Sequence, residues 1–231
     1  MHQCRTAIGA MLGCVTDEEL RLLGTAAGKR VLELGCSDAA SAIALAGQGA
    51  HVIAIADGAD DHDRARAAIE RAEAKVELIH GDLADLAFIR ADTVDAAYAD
   101  SSLRGVVDLD RVFRQVHRVL RIDAPFVVAV PHPAGDVDDV DRVFRQVHRV
   151  LKTDAPLVVS LPHPTLELID EGADPKLLIR RSYFDRSDNR RTVGDLFTSI
   201  TRAHFAVDTL LEPESGTLPR TLVLRGRKLG N

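Results

Sequence analysis

The stretch from Lys29 to Asp57, KRVLELGCSDAASAIALAGQGAHVIAIAD, constrains this chain more than any other. Val31, Leu32 and Leu34 form a short apolar run that stops at Gly35. A small-residue segment of helical length follows from Ala39 to Ala46, Gly47 and Gly49 end it, and a second apolar run covers Val52 to Ile55. Strand, tight turn, helix, strand in that order is the first unit of a parallel α/β sheet. In such sheets ligands settle beyond the carboxyl ends of the strands, where a glycine turn lets backbone approach and a helix N-terminus offers N–H groups.

An internal repeat is the next constraint. Asp108 to Pro133, DLDRVFRQVHRVLRIDAPFVVAVPHP, recurs at an offset of 31 as Asp139 to Pro164, DVDRVFRQVHRVLKTDAPLVVSLPHP, with 20 of 26 positions identical. Val112, Phe113, Val116, Val119 and Leu120 mark one helix face, and Phe126 to Val130 is the continuous apolar run of a buried parallel strand. The second copy repeats both features, with Val143, Phe144, Val147, Val150 and Leu151 on the helix and Leu157 to Leu161 as the strand. Four basic residues in each copy, Arg111, Arg114, Arg118 and Arg121, then Arg142, Arg145, Arg149 and Lys152, read as a solvated outer stripe.

At 231 residues the chain is long enough for one domain spanning 1–231, and 46% hydrophobic with 4% aromatic residues suits an α/β protein rich in Ala, Val and Leu. Twenty-nine basic against 35 acidic residues give a net charge of −6, so charge provides no reason to expect nucleic acid or an anionic membrane as a partner. No run approaches the ~20 apolar residues of a membrane span. Cys4, Cys14 and Cys36 lack metal-ligand spacing and read as reduced thiols of a cytoplasmic protein, and no metal is expected.

Glu33-Leu34-Gly35-Cys36-Ser37-Asp38-Ala39 resembles the first motif of class I S-adenosylmethionine (SAM)-dependent methyltransferases, E/D-x-G-x-G-x-G, with Ser37 and Ala39 at the second and third glycines. The resemblance runs from Thr16 to Lys228 apart from the second repeat copy. It implies a Rossmann-like α/β sheet, mostly parallel with an antiparallel last strand, and SAM as methyl donor. It also implies that Glu33, Gly35, Cys36 and Ser37 lie along the cofactor, with Asp82, Leu83 and Ala99 completing its site. The family's ribose-binding acid falls at Ala56 in gapless alignment, whereas the acid present is Asp57. Asp57 reaches the ribose only if the strand has ended or bulges there.

The family has one helix-strand unit where this chain has two, which reads as an insertion by duplication. Handedness of the crossovers and the short connection from Ala134 to Asp138 predict an eight-stranded sheet, with Leu157 to Leu161 between the first repeat strand and the antiparallel closing strand. The rival arrangement extrudes one copy or exchanges it between protomers of a homodimer.

Asp100, just past the fourth strand, falls where the family places residues beside the acceptor, and Tyr98 in that strand faces either core or ligand. Residues 165–190 correspond to an acceptor-side insertion of small-molecule methyltransferases of actinobacterial type, making Tyr183, Phe184 and Asp185 acceptor-pocket candidates. Methyl transfer is in-line displacement from a sulfonium. It demands alignment above all, with a general base only where the acceptor must lose a proton. His132 and His163, each after a repeat strand, are the candidates for that base. Thr16 with Glu19 caps a short helix ending at Leu23, too brief for a lid. Two functions follow: methyl transfer from SAM to a small molecule, or a non-catalytic relative with impaired SAM binding that acts through a partner or its surface.

Overall fold

A computed structural model describes residues 25–99, 103, 106, 108–129, 140–168, 179–185, 187, 190–213 and 217–230. The short helix expected before Leu23, and Cys4, Cys14, Asp100 and His132, lie outside these residues.

The opening unit folds as its pattern requires. Strand β1 spans Arg30–Leu34, helix α1 Ala40–Gly47 and strand β2 His51–Ala56. Helix α2 (Ala59–Arg71) leads to β3 (Val76–His80), and β4 covers Ala96–Ala99. The repeat then contributes α3 (Leu109–Val119), β5 (Phe126–Ala129), α4 (Val140–Val150) and β6 (Pro156–Pro162). A short 3₁₀ turn (Pro164–Leu168), α5 (Val193–Arg202), β7 (Phe205–Leu211) and β8 (Thr221–Lys228) complete the order.

The eight strands form one sheet in the order β3-β2-β1-β4-β5-β6-β8-β7. The second repeat strand is inserted where the crossover argument puts it. β5 pairs with β6 in parallel, Phe126 opposite Leu157 and Val128 opposite Val159, and β6 pairs with β8 antiparallel. The extruded or exchanged arrangement is therefore not adopted. Pro156 opens β6, the strand position at which a missing N–H costs the ladder least.

Both copies turn from helix to strand in the same way. Asp123 and Asp154 take left-handed backbone, φ 62° and 64°, immediately before Ala-Pro. Aspartate tolerates this region better than most residues, so Asp-Ala-Pro makes a turn that otherwise calls for glycine.

Side chains alternate between two apolar layers. Leu32, Leu34, Ile53, Phe126, Val128, Leu157 and Val159 join α3, α4 and α5 on one face, where Phe113 and Phe144, matching residues of the two copies, are fully buried. On the other face Val31, Val52, Tyr98, Val127 and Val158 pack with α1 and Ala65 of α2. Tyr98 is thus a core residue, 1% exposed.

Two features depart from the sequence reading. The basic stripe is not uniformly solvated: Arg118 is part-buried, donating from Nη1 to the Ile89 carbonyl (2.8 Å) and from Nη2 to the Leu86 carbonyl (2.5 Å). In the second copy Lys152 Nζ reaches the Leu120 carbonyl at 2.5 Å and pairs with Asp92, tying the two copies together. These cations satisfy carbonyls at the ends of neighbouring segments, which periodicity on one helix does not reveal. On α5, Phe197 is exposed and Ser199 takes a buried position. The helix is capped by a reciprocal box between Thr192 and Asp195.

Candidate functional site

The carboxyl ends of β1, β2 and β3 come level with one another. Leu34 lies opposite Ile55, Ala56 lies opposite His80, and the Gly81 N–H closes the row on the Ala56 carbonyl at 3.0 Å. With neighbouring strands ~4.8 Å apart, the turns after these three strands line an edge ~10 Å wide. Gly35, Asp57 and Asp82 all sit on it.

Gly35 is buried and left-handed, φ 81°, and the Gly35 and Cys36 N–H groups both donate to the Ile55 carbonyl, at 2.9 and 2.8 Å. Those bonds fold the chain tightly over the end of β2 and require the positive φ that glycine supplies. Ala39, at the motif's third glycine, is also left-handed, φ 57°. The conformation of the motif therefore survives the substitution, at a cost of ~1–2 kcal/mol for an alanine in this region. Asp38 Oδ1 accepts the Ala40 N–H at 3.0 Å and so secures the start of α1.

Glu33 is buried at 7% and lies opposite Tyr98 on β4. Burial pushes the Cys36 thiol far above its ordinary value, and the Glu33 charge beside it adds to the effect. Burial and Glu33 thus both favour the neutral thiol over the thiolate. Ser37 is half-buried on the turn.

Strand β2 ends at Ala56, whose side chain is fully buried. Asp57 is exposed in the first position past the ladder. The condition under which Asp57 turns toward a ligand, that the strand has already ended, is met. Asp82 is exposed after β3 and its Oδ1 accepts the Ala84 N–H at 2.8 Å, which fixes the turn, while Leu83 beneath it is buried. Ala99 is buried at the end of β4, opposite Leu34. Seven cofactor candidates, from Glu33, Gly35, Cys36 and Ser37 to Asp57, Asp82 and Leu83, thus share one edge of the sheet, with Ala99 beside them on β4.

Among the described residues, the acceptor-side candidates Tyr183, Phe184 and Asp185 lie by the start of α5. Tyr183 is half-buried and its hydroxyl accepts the Val193 N–H at 2.9 Å, helping to hold the start of α5. Phe184 is 73% exposed and stacks edge-on against Tyr183. Asp185 pairs with Arg190 at 3.0 Å. Two bonds from Ser187 and the Arg190 guanidinium hold its carboxyl below the usual range.

His163 is 3% exposed, with Nε2 2.7 Å from Glu212 Oε1 and Nδ1 2.7 Å from Thr165 Oγ1. Both ring nitrogens are engaged within the chain, fastening the end of β6 to the β7–β8 hairpin. Its backbone N–H donates to the Arg220 carbonyl, reinforcing the same junction. Among the described residues no group of His, Cys, Asp and Glu could hold a metal ion. No helix among them is long and apolar enough to cross a membrane.

The sheet order and the edge at β1–β3 define the class I SAM-dependent methyltransferase fold, with one strand added. Comparison with known proteins agrees: residues 32–128 match the methyltransferase domain family. Over that stretch the chain is similar to methyltransferase domains. A demethylmenaquinone methyltransferase from Clavibacter sepedonicus is 34% identical over 110 residues, which make up 47% of this chain and 43% of that protein. The similarity thus spans less than half the length of that relative.

Among solved structures, a SAM-dependent methyltransferase from Mesorhizobium loti superposes with a TM-score of 0.52 at 21% identity, over 92% of this chain and 96% of its own. A putative SAM-dependent methyltransferase from Listeria monocytogenes gives 0.52 at 17% identity, over 92% and 97%. The 4+2 cyclase SpnF gives 0.51 at 15% identity, over 93% and 78%.

Proposed function

We propose that this protein binds SAM across the edge formed by β1, β2 and β3 and transfers its methyl group to a small-molecule acceptor. The observation that carries this is the end of β2 at Ala56, which leaves Asp57 exposed beside the Gly35 turn. In this reading the Asp57 carboxylate accepts hydrogen bonds from the ribose hydroxyls, Asp82 receives the adenine amino group, and Glu33 to Ser37 run beneath the methionine end. Leu83 and Ala99 provide apolar contact. The relative named for demethylmenaquinone supports a small organic acceptor without identifying it.

Since displacement at a sulfonium methyl leaves a neutral thioether, the protein's part is to bind, align and keep water out. Asp100, Tyr183, Phe184 and Asp185 are proposed on the acceptor side, and His132 or His163 as base where the acceptor loses a proton. The bonds already made by His163 and Tyr183 favour positioning roles for these two. The close sequence match of the repeat copies and their shared turn geometry support origin by duplication. A cytoplasmic location and a homodimer fit the same reading.

Calorimetric titration with SAM tests it. Saturable binding that is lost in Asp57→Ala supports methyl transfer; no heat of binding up to millimolar SAM excludes it. The second reading, a non-catalytic relative, has its own support: Ser37, Ala39 and Ala56 stand where the family carries two glycines and an acid. That a cyclase shares the fold shows that this sheet also serves proteins named for other chemistry.

A further inference from the structure

Large apolar side chains exposed one at a time are ordinary on a protein surface, but two of them flanking a pair of arginines are not. Ile179 is 76% exposed and Phe184 73% exposed, and between them stand Arg180 and Arg181, both exposed. Among the described residues neither arginine side chain makes an ion pair or a hydrogen bond, although the Arg181 charge reaches Asp185. Asp185 is already matched by Arg190 at 3.0 Å, so the charges of Arg180 and Arg181 stand in excess.

The backbone that presents these four side chains is tied down. The Arg180 N–H donates to the Leu168 carbonyl at 2.8 Å, and the Asp185 N–H closes a turn on the Ser182 carbonyl at 3.1 Å. The Tyr183 hydroxyl accepts the Val193 N–H at 2.9 Å, and the Phe184 ring lies edge-on against Tyr183. Exposed groups on an anchored backbone lose less freedom when they dock. Charge is also divided along this part of the sequence. Glu167, Asp170, Glu171 and Asp174, with one lysine, precede Ile179, whereas residues 179–191 carry five arginines against Asp185 and Asp188.

A guanidinium fork matches phosphate oxygens, its alkyl stem tolerates an apolar neighbour, and an exposed isoleucine or phenylalanine gains by leaving water. We propose that residues 179–184 seat the protein on the surface of a bilayer that contains anionic lipids. Ile179 and Phe184 enter the boundary between headgroups and acyl chains, and Arg180 and Arg181 meet lipid phosphates. The net charge of −6 does not prevent this, because charges more than ~8 Å away are largely screened at physiological ionic strength. The contact lies on the bilayer and needs no spanning helix. A protein seated this way turns Tyr183, Phe184 and Asp185 toward the lipid, so that an acceptor dissolved there is reached without crossing water. That consequence rests on the acceptor-side reading above; the docking itself does not.

The test is co-sedimentation of the full chain with vesicles of phosphatidylcholine alone and of phosphatidylcholine containing one third phosphatidylglycerol, at physiological ionic strength. Partition onto the anionic vesicles is expected to be at least about tenfold stronger than onto the neutral ones. The double variant Arg180→Gln, Arg181→Gln should lose at least about tenfold of that partition while keeping its thermal unfolding midpoint. Ile179→Ser, which leaves every charge in place, should weaken it at least about threefold and tests the apolar contact separately. Equal partition onto the two kinds of vesicle overturns the proposal, and so does wild-type partition in either variant. Absence of vesicle binding overturns it in favour of an acidic protein surface as the partner. None of these results depends on whether SAM binds.

Discussion

Asp123 and Asp154, one in each copy of the repeat, hold the same left-handed backbone, φ 62° and 64°, and each is followed by Ala-Pro into a buried strand. Both are exposed, so the requirement is conformational and not one of packing. Asp154→Gly should leave stability within about 0.5 kcal/mol, because relief of the left-handed cost offsets the added freedom of the unfolded chain. Asp154→Val should lower it by ~1–2 kcal/mol. Urea denaturation of the pair checks this, and equal stability of the two variants would contradict it.

The second copy should be as necessary to the core as the first. Phe113 and Phe144 are both fully buried in the layer shared by α3, α4 and α5. Replacing either with alanine should cost ~3–5 kcal/mol. If Phe144→Ala were nearly silent while Phe113→Ala was severe, the inserted unit would be an appendage, not part of the cooperative fold.

Asp57 and Ala56 give a directional test of the cofactor edge. Asp57→Ala should weaken SAM by at least about tenfold with little loss of stability, since Asp57 is exposed. Moving the acid to the family's position, by Ala56→Asp, should instead destabilise the fold, because that side chain is 0% exposed and a carboxylate there would be buried without water. Calorimetry for binding and a denaturation curve for each variant separate the two effects.

Gly35 leads to a related expectation. Its φ of 81° and its burial leave no unstrained place for a side chain. Gly35→Ala should cost ~1–2 kcal/mol from backbone alone and should reduce SAM affinity, because the strained turn carries the Cys36 and Ser37 backbone. Unchanged SAM affinity in a folded Gly35→Ala protein would move the methionine end away from this turn.

His148 predicts a pH dependence. Burial against Phe205 and the sheet end lowers its pKa below the ordinary histidine value, with the Leu229 carbonyl opposing and the Lys228 charge assisting. A histidine whose folded pKa is depressed takes up its proton more readily in the unfolded chain. Its contribution to stability is thus fully present above the unfolded value of ~6.5 and declines as pH falls from there toward the folded pKa. The drop in thermal midpoint on going from neutral to mildly acidic buffer should shrink in His148→Gln. An identical drop in both proteins would assign the effect to other groups.

Much of the fold was legible because its signals are local or topological. The apolar run that stops at Gly35 and the one that follows Gly49 identify β1 and β2, and a repeat of helix plus apolar strand leaves one right-handed way to extend a parallel sheet, which β6 follows. The position of Asp57 was legible only as a condition, since where a strand ends by one residue depends on pairing with β3. The burial of His163 between Thr165 and Glu212 was not readable: Glu212 comes from a hairpin almost fifty residues later. The same holds for Arg118 and Lys152, whose carbonyl acceptors are distant in sequence.

The strand added as β6 changes direction as well as distance. Each strand in a twisted sheet is rotated by ~20–25° relative to its neighbour. One further strand between β5 and β8 therefore turns the β8–β7 hairpin, and the His163–Glu212 junction with it, by about that angle relative to the β1–β3 edge. In the proposed reading, an acceptor resting against this end of the protein approaches the sulfonium from a heading that the same sheet without β6 would not offer.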